Sequence, residues 1–260
     1  MRKIALILFL GLSIPSFASD CGISGMNFYP LHKEISLNSS FIIQGYNLSQ
    51  KTVNGFKNRN VYLISSQGDS VRLSLLQILN SEMSLTQALF KPERELKPNS
   101  TYFLRYQNQT KSETREMRIW RPKKKKHEMI YWKTSNTKRL SPLDSNLEIS
   151  FLKTKVIEYG CGPEANAIFS VQNKSQSEIW FKTEVLDTKT GKIKVFYTFD
   201  RKGKLNVGHG MCAGAFSFNS KTKYKVRFTP LNTDGKELPT TNWYVFNSPY
   251  DNAKNLFGRY

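Results

Sequence analysis

Acidic residues are scarce in this chain: 20 Asp and Glu stand against 39 Lys and Arg in 260 residues, a formal net charge of +19. Histidine and cysteine are scarcer still, at three each, which argues against a rich metal or redox centre. No cofactor is expected, because the sequence carries no phosphate-binding Gly loop, no Ser elbow and no metalloprotease helix. Beyond residue 18 no apolar run is long enough for a membrane-crossing helix. With 39% hydrophobic and 23% charged residues, the composition is that of a folded globular chain and excludes wholesale disorder.

What is present begins at the N-terminus. Arg2 and Lys3 precede the apolar run Ile4 to Ile14, Pro15 interrupts it, and Ser16-Phe17-Ala18 places small residues where a signal peptidase reads them. A helix of that length spans only about 16 Å, short of the roughly 30 Å of bilayer hydrocarbon. Residues 1–18 are therefore expected to be a cleaved signal peptide. The mature chain is expected to be periplasmic or extracellular. Asp20, before Cys21, disfavours lipidation at that cysteine.

Short bursts of apolar–polar alternation fill the rest and predict an all-β fold. They include Asn60 to Ile64, Tyr102 to Tyr106, Met117 to Trp120, Leu147 to Phe151, Glu178 to Val185, Ile193 to Phe199, Tyr224 to Phe228 and Trp243 to Phe246. Residues 70–85 fit one amphipathic helix or two strands around Asn80-Ser81 equally well.

Two halves echo each other. Leu96-Lys97-Pro98 leads to Tyr102, and Phe218-Asn219-Ser220 leads to Tyr224 at the same spacing; Trp120 and Trp243 follow at similar distances. This pattern resembles the tyrosine corner of immunoglobulin-like and fibronectin type III domains, in which the Tyr hydroxyl bonds to nearby backbone. The resemblance implies two tandem β-sandwiches, with Tyr102 and Tyr224 as corner residues. The expected division is 19–120 for the first, 121–140 for a basic linker and 141–260 for the second.

Charge is concentrated in that linker, which holds eight basic residues and one acidic one, including Lys123, Lys124, Lys125 and Lys126. A second cationic feature is Lys221, Lys223, Lys225 and Arg227, every second residue and so on one face of a strand. Both are candidate contacts for a polyanion. In an exported protein Cys161 and Cys212 are expected to form a structural disulfide, leaving Cys21 over. The competing chemistry is a thiol nucleophile, Cys212 or Cys161, activated by His209 of Gly208-His209-Gly210-Met211-Cys212. The expected function is a non-enzymatic binding or scaffolding protein of the cell envelope or exterior. Its partner would be an anionic envelope polysaccharide or another envelope protein, and polyanion binding and thiol catalysis are the alternatives.

Overall fold

The computed structural model describes residues 24–121, 125–136, 143–160, 162–175 and 177–252. The expected signal peptide, Cys21, Lys123, Lys124 and Cys161 lie outside the described residues. The fold is all-β, with helix confined to single turns such as α1 (Gln50–Gly55) and α2 (Lys111–Glu116). A capping box starts α2: Thr110 Oγ1 accepts the Glu113 N–H, and the Glu113 carboxylate accepts the Thr110 N–H.

The first half builds one eight-stranded sheet. Its strands are β1 (Gly25–Tyr29), β2 (Glu34–Ile35), β3 (Phe41–Tyr46), β4 (Val61–Ser65), β5 (Ser70–Asn80), β6 (Leu85–Pro92), β7 (Thr101–Tyr106) and β10 (Tyr131–Thr134). They run in the order β1-β3-β6-β5-β4-β7-β10-β2. Four strands separate β3 from β10 in that order, yet Phe41 and Trp132 meet edge to face at 4.9 Å. The sheet therefore folds over onto itself around a single core. The fold line runs along β5, which pairs with β4 through its first residues and with β6 through the rest. The change falls at Leu73, which pairs with both strands, and a bulge between Leu75 and Gln77 follows it within the β5–β6 pairing.

That bulge explains why residues 70–85 read ambiguously. An extra residue reverses the in–out parity, so Val71 and Leu73 keep a strand period that Leu75-Leu76 breaks. The structure makes two strands there, β5 and β6, turning at Ser81 to Ser84.

The segment expected to be a linker is corrected by the structure. β8 (Arg118–Arg121) pairs with β9 (Lys126–Met129) as a hairpin, and β10 adds to the first sheet beside β7. Ile130 and Trp132 are buried in the first core, which holds these residues in the sheet despite their basic neighbours. Trp132, not Trp120, is the aromatic that follows Tyr102 into the core; Trp120 is 49% exposed.

The second half forms two facing sheets. One is β11 (Glu148–Tyr159), β12 (Gly162–Gln172) and β15 (Lys204–His209), in the order β11-β12-β15. The other is β13 (Ile179–Asp187), β14 (Ile193–Phe199), β16 (Lys223–Asn232) and β17 (Tyr244–Asn247), in the order β14-β13-β16-β17. Phe169 of β12 meets Phe228 of β16 at 5.0 Å, closing the space between them.

A third apolar cluster joins the halves. Phe41 and Ile43 of β3 face the first core, while Ile42 between them packs with Tyr29, Trp180, Tyr197 and Leu231. The run Phe41-Ile42-Ile43 is thus buried on both faces of its strand. Tyr29 stacks on Phe199 with ring centroids 3.5 Å apart. Around the cluster, Gln87 acts as a piece of backbone. Its amide donates to the Tyr197 carbonyl at 2.8 Å, and its side-chain oxygen accepts the Tyr197 N–H at 2.9 Å.

Candidate functional site

The two corner tyrosines sit alike. Tyr102 is fully buried, and its hydroxyl accepts the Lys97 N–H at 2.9 Å while reaching Asp69 Oδ2 at 3.1 Å. Tyr224 accepts the Asn219 N–H at 2.7 Å, with Phe218 packed edge-on against its ring at 4.9 Å. Burial raises both phenol pKa values above the ordinary tyrosine range.

The string around His209 is a tight loop closed on itself. Gly208 has φ of +154°, and a Cβ there would lie 2.0 Å from the Ala165 carbonyl oxygen, so the position requires glycine. His209 is buried, with Nδ1 3.0 Å from the Gly210 carbonyl and Nε2 3.1 Å from the Tyr250 hydroxyl. The carbonyl can only accept, so Nδ1 donates to it, and Nε2 is engaged by the Tyr250 hydroxyl. Cys212 is disulfide-bonded. Its expected partner Cys161 is outside the described residues, but the neighbouring Gly162 runs beside the Met211 carbonyl, 3.7 Å from where a Cβ would stand.

The cationic stripe is divided. Lys223, Lys225 and Arg227 alternate with buried Tyr224, Val226 and Phe228, so they do share the outer face of β16. Lys221 precedes the strand; its N–H donates to Asp251. Arg227 is neutralised by Glu184 of β13, at 2.8 Å from Nε and 2.5 Å from Nη2, and lies over the Trp243 ring at 4.5 Å. Lys225 is flanked in register by Leu186 and Val245. The face is therefore mixed apolar and polar, and not a run of four unpaired cations. Of the lysine run, Lys125 is exposed in the turn before β9, and Lys126 is exposed at 3.4 Å from Glu128.

A different cationic site emerges in the first half. Arg105 on β7, Arg115 on α2 and Arg118 on β8 line one groove of about 490 Å³ with Gln109, Thr114 and Met129. Among the described residues no carboxylate lines it. The nearest acids in sequence are engaged elsewhere: Glu113 binds Arg59 at 2.5 Å, and Glu116 accepts from Ser49 at 2.6 Å. The three arginines are 10 and 3 residues apart in sequence, with no common period, so only the fold reveals their convergence. The visible signal was local: Arg105 stands at an outward position of an alternating strand. No group of three or more potential metal ligands occurs among the described residues.

No family model matches the chain, and no curated protein matches it. Solved structures offer distant likenesses. A pullulanase from Anoxybacillus sp. LM18-11, complexed with maltotriose, matches 78% of this chain at 7% identity and a TM-score of 0.25. A cytokine receptor complex matches 86% of it at 7% identity and 0.26. A DUF4785 family protein from Legionella pneumophila matches 86% at 11% identity and 0.22. The chain spans 24%, 96% and 55% of these three respectively. At such scores they carry no argument about fold or function.

Proposed function

We propose that this chain is an exported, non-enzymatic binding or scaffolding protein made of two immunoglobulin-like sandwiches held at a fixed angle. The second half supports the domain type through its strand order, β11-β12-β15 against β14-β13-β16-β17, which follows the immunoglobulin arrangement A-B-E over C′-C-F-G. In the first half β1-β3-β6-β5 corresponds to A-B-E-D and β4-β7-β10 to C-F-G. Each half carries a Tyr hydroxyl bonded five residues back at the same corner.

The observation that carries the scaffolding reading is the joint. A buried aromatic cluster and a side chain that hydrogen-bonds like a strand leave little freedom between the halves. Lys91 adds to it: its ammonium donates to the carbonyls of Asn38 and Asp234, and burial lowers its pKa below the ordinary lysine range. The disulfide at Cys212 and the engagement of both His209 nitrogens weigh against thiol catalysis.

Paired spin labels on the exposed positions Lys57 and Lys189 test the fixed angle. A single narrow distance distribution is expected in the full chain, broadened by Gln87→Ala. A broad distribution in the unaltered chain would refute the rigid joint.

A further inference from the structure

The joint covers only one outer face of the first sandwich. Its other outer face, on β4, β7 and β10, points away from the second half across the first core. Strand alternation places Tyr62, Phe103, Arg105 and Tyr131 on that face, because Val61, Leu63, Tyr102, Leu104 and Trp132 point inward. Register sets them in rows. Arg72, Tyr62 and Arg105 lie side by side across three strands, and Phe103 lies between Ile64 and Tyr131 in the next row. The rings of Phe103 and Tyr131 are 6.2 Å apart, and Lys33 sits over Tyr131 at 4.7 Å. Arg72 meets Glu93 at 3.5 Å, a pair exposed on both sides. Arg105 also lines the groove it shares with Arg115 and Arg118. The surface continues onto the β8–β9 hairpin, where Arg118 and Trp120 share a face with Met129 and His127. Trp120 is half exposed, its ring 5.1 Å from that of His127.

We propose that this aromatic and arginine-lined face is a binding surface for an anionic polysaccharide. Guanidinium groups present paired N–H donors that match carboxylate and sulfate oxygens, so Arg105, Arg115 and Arg118 suit the charged groups of such a chain. Three guanidiniums without a carboxylate among them repel one another, and an oxyanion relieves that repulsion. Tyr62, Phe103 and Trp120 offer flat apolar surface to the ring faces of the sugars between those groups. The choice of polysaccharide over nucleic acid rests on the exported reading above, since outside the cytosol the abundant polyanions are glycans. The site itself rests only on the groove and the face.

The test measures the Kd of the full chain for a heparin oligosaccharide as a function of salt, with neutral dextran and oligothymidylate of equal charge alongside. Heparin is expected to bind and dextran not to. The triple variant Arg105→Gln, Arg115→Gln, Arg118→Gln should lose at least about tenfold in affinity and show a shallower salt dependence. Tyr62→Ala with Phe103→Ala should weaken binding by about threefold or more at unchanged salt slope. Lys223→Gln with Lys225→Gln should change little, which separates this face from the stripe on β16. Thermal melts confirm that each variant is folded. Heparin binding that is absent, or unchanged in the arginine variant, overturns the site. Equal affinity for oligothymidylate overturns the choice of ligand. Cell fractionation followed by N-terminal sequencing of the recovered chain then shows independently whether the export reading fails as well.

Discussion

Glu82 and Lys194 meet across the joint at 2.6 Å, the carboxylate on the turn between β5 and β6 and the ammonium on β14. The same carboxylate accepts from Ser217 at 2.9 Å and has Lys192 at 3.5 Å. The hydrogen bond from Lys194, with those from Ser217 and Lys192, holds its pKa down at about 2. A depressed carboxylate adds stability that is complete above its unfolded pKa of about 4.3 and is lost as pH falls toward the folded value.

The joint should therefore loosen between about pH 4.3 and pH 2. The spin-label distribution is expected to broaden across this window in the unaltered chain. Glu82→Gln should remove most of that pH dependence while leaving the neutral-pH structure folded. The carboxylate is 55% exposed, so solvent screens the contact and the effect belongs to the joint, not to global unfolding. A distribution indifferent to pH would count against the assignment.

The tyrosine corners differ in one respect that a phenylalanine scan should detect. Tyr102 bonds to the Lys97 N–H and to the charged carboxylate of Asp69, whereas Tyr224 bonds to the Asn219 N–H and to the neutral Thr222 hydroxyl. Tyr102→Phe should cost about 1–3 kcal/mol and Tyr224→Phe about 0.5–1.5 kcal/mol. Urea midpoints at constant m-value measure both. Negligible losses at both sites would mean that water replaces these bonds at no cost.

Thiol counting on the native chain should return one reactive thiol out of three cysteines, Cys21, because Cys212 is disulfide-bonded and Cys161 is its expected partner. Reduction should cost about 2–4 kcal/mol through the loop that opens. Three titrating thiols in the folded chain would reopen the thiol chemistry at His209.

Most strands were legible because one face of each is buried and the other wet. Asn60 to Ile64, Tyr102 to Tyr106 and Ile193 to Phe199 fall within a residue or so of β4, β7 and β14. β10 was hidden by its setting: the lysines around Tyr131-Trp132 suggested a solvated linker, and only the contact with Phe41 shows why Trp132 is core. The corners were legible as a spacing. The stripe on β16 was legible as alternation, but its neutralisation was not, since Glu184 lies 43 residues away and meets Arg227 only through strand register. The arginine groove gathers residues from a strand, a helical turn and a hairpin, and no local pattern announces such convergence.

The double-sided burial of β3 has a consequence for biosynthesis. The chain is made N-terminus first, so the surface formed by Tyr29, Ile42 and Leu89 exists before Trp180, Tyr197 and Leu231 have been polymerised. At about 5–20 residues per second, the stretch from Thr134 at the end of β10 to Leu231 takes roughly five to twenty seconds. During that time the nascent first half carries an apolar sheet face with nothing to cover it. A chaperone, or delay of folding until the second half is available, must shield that face. A fragment truncated near residue 136 would carry the same exposure permanently and would self-associate.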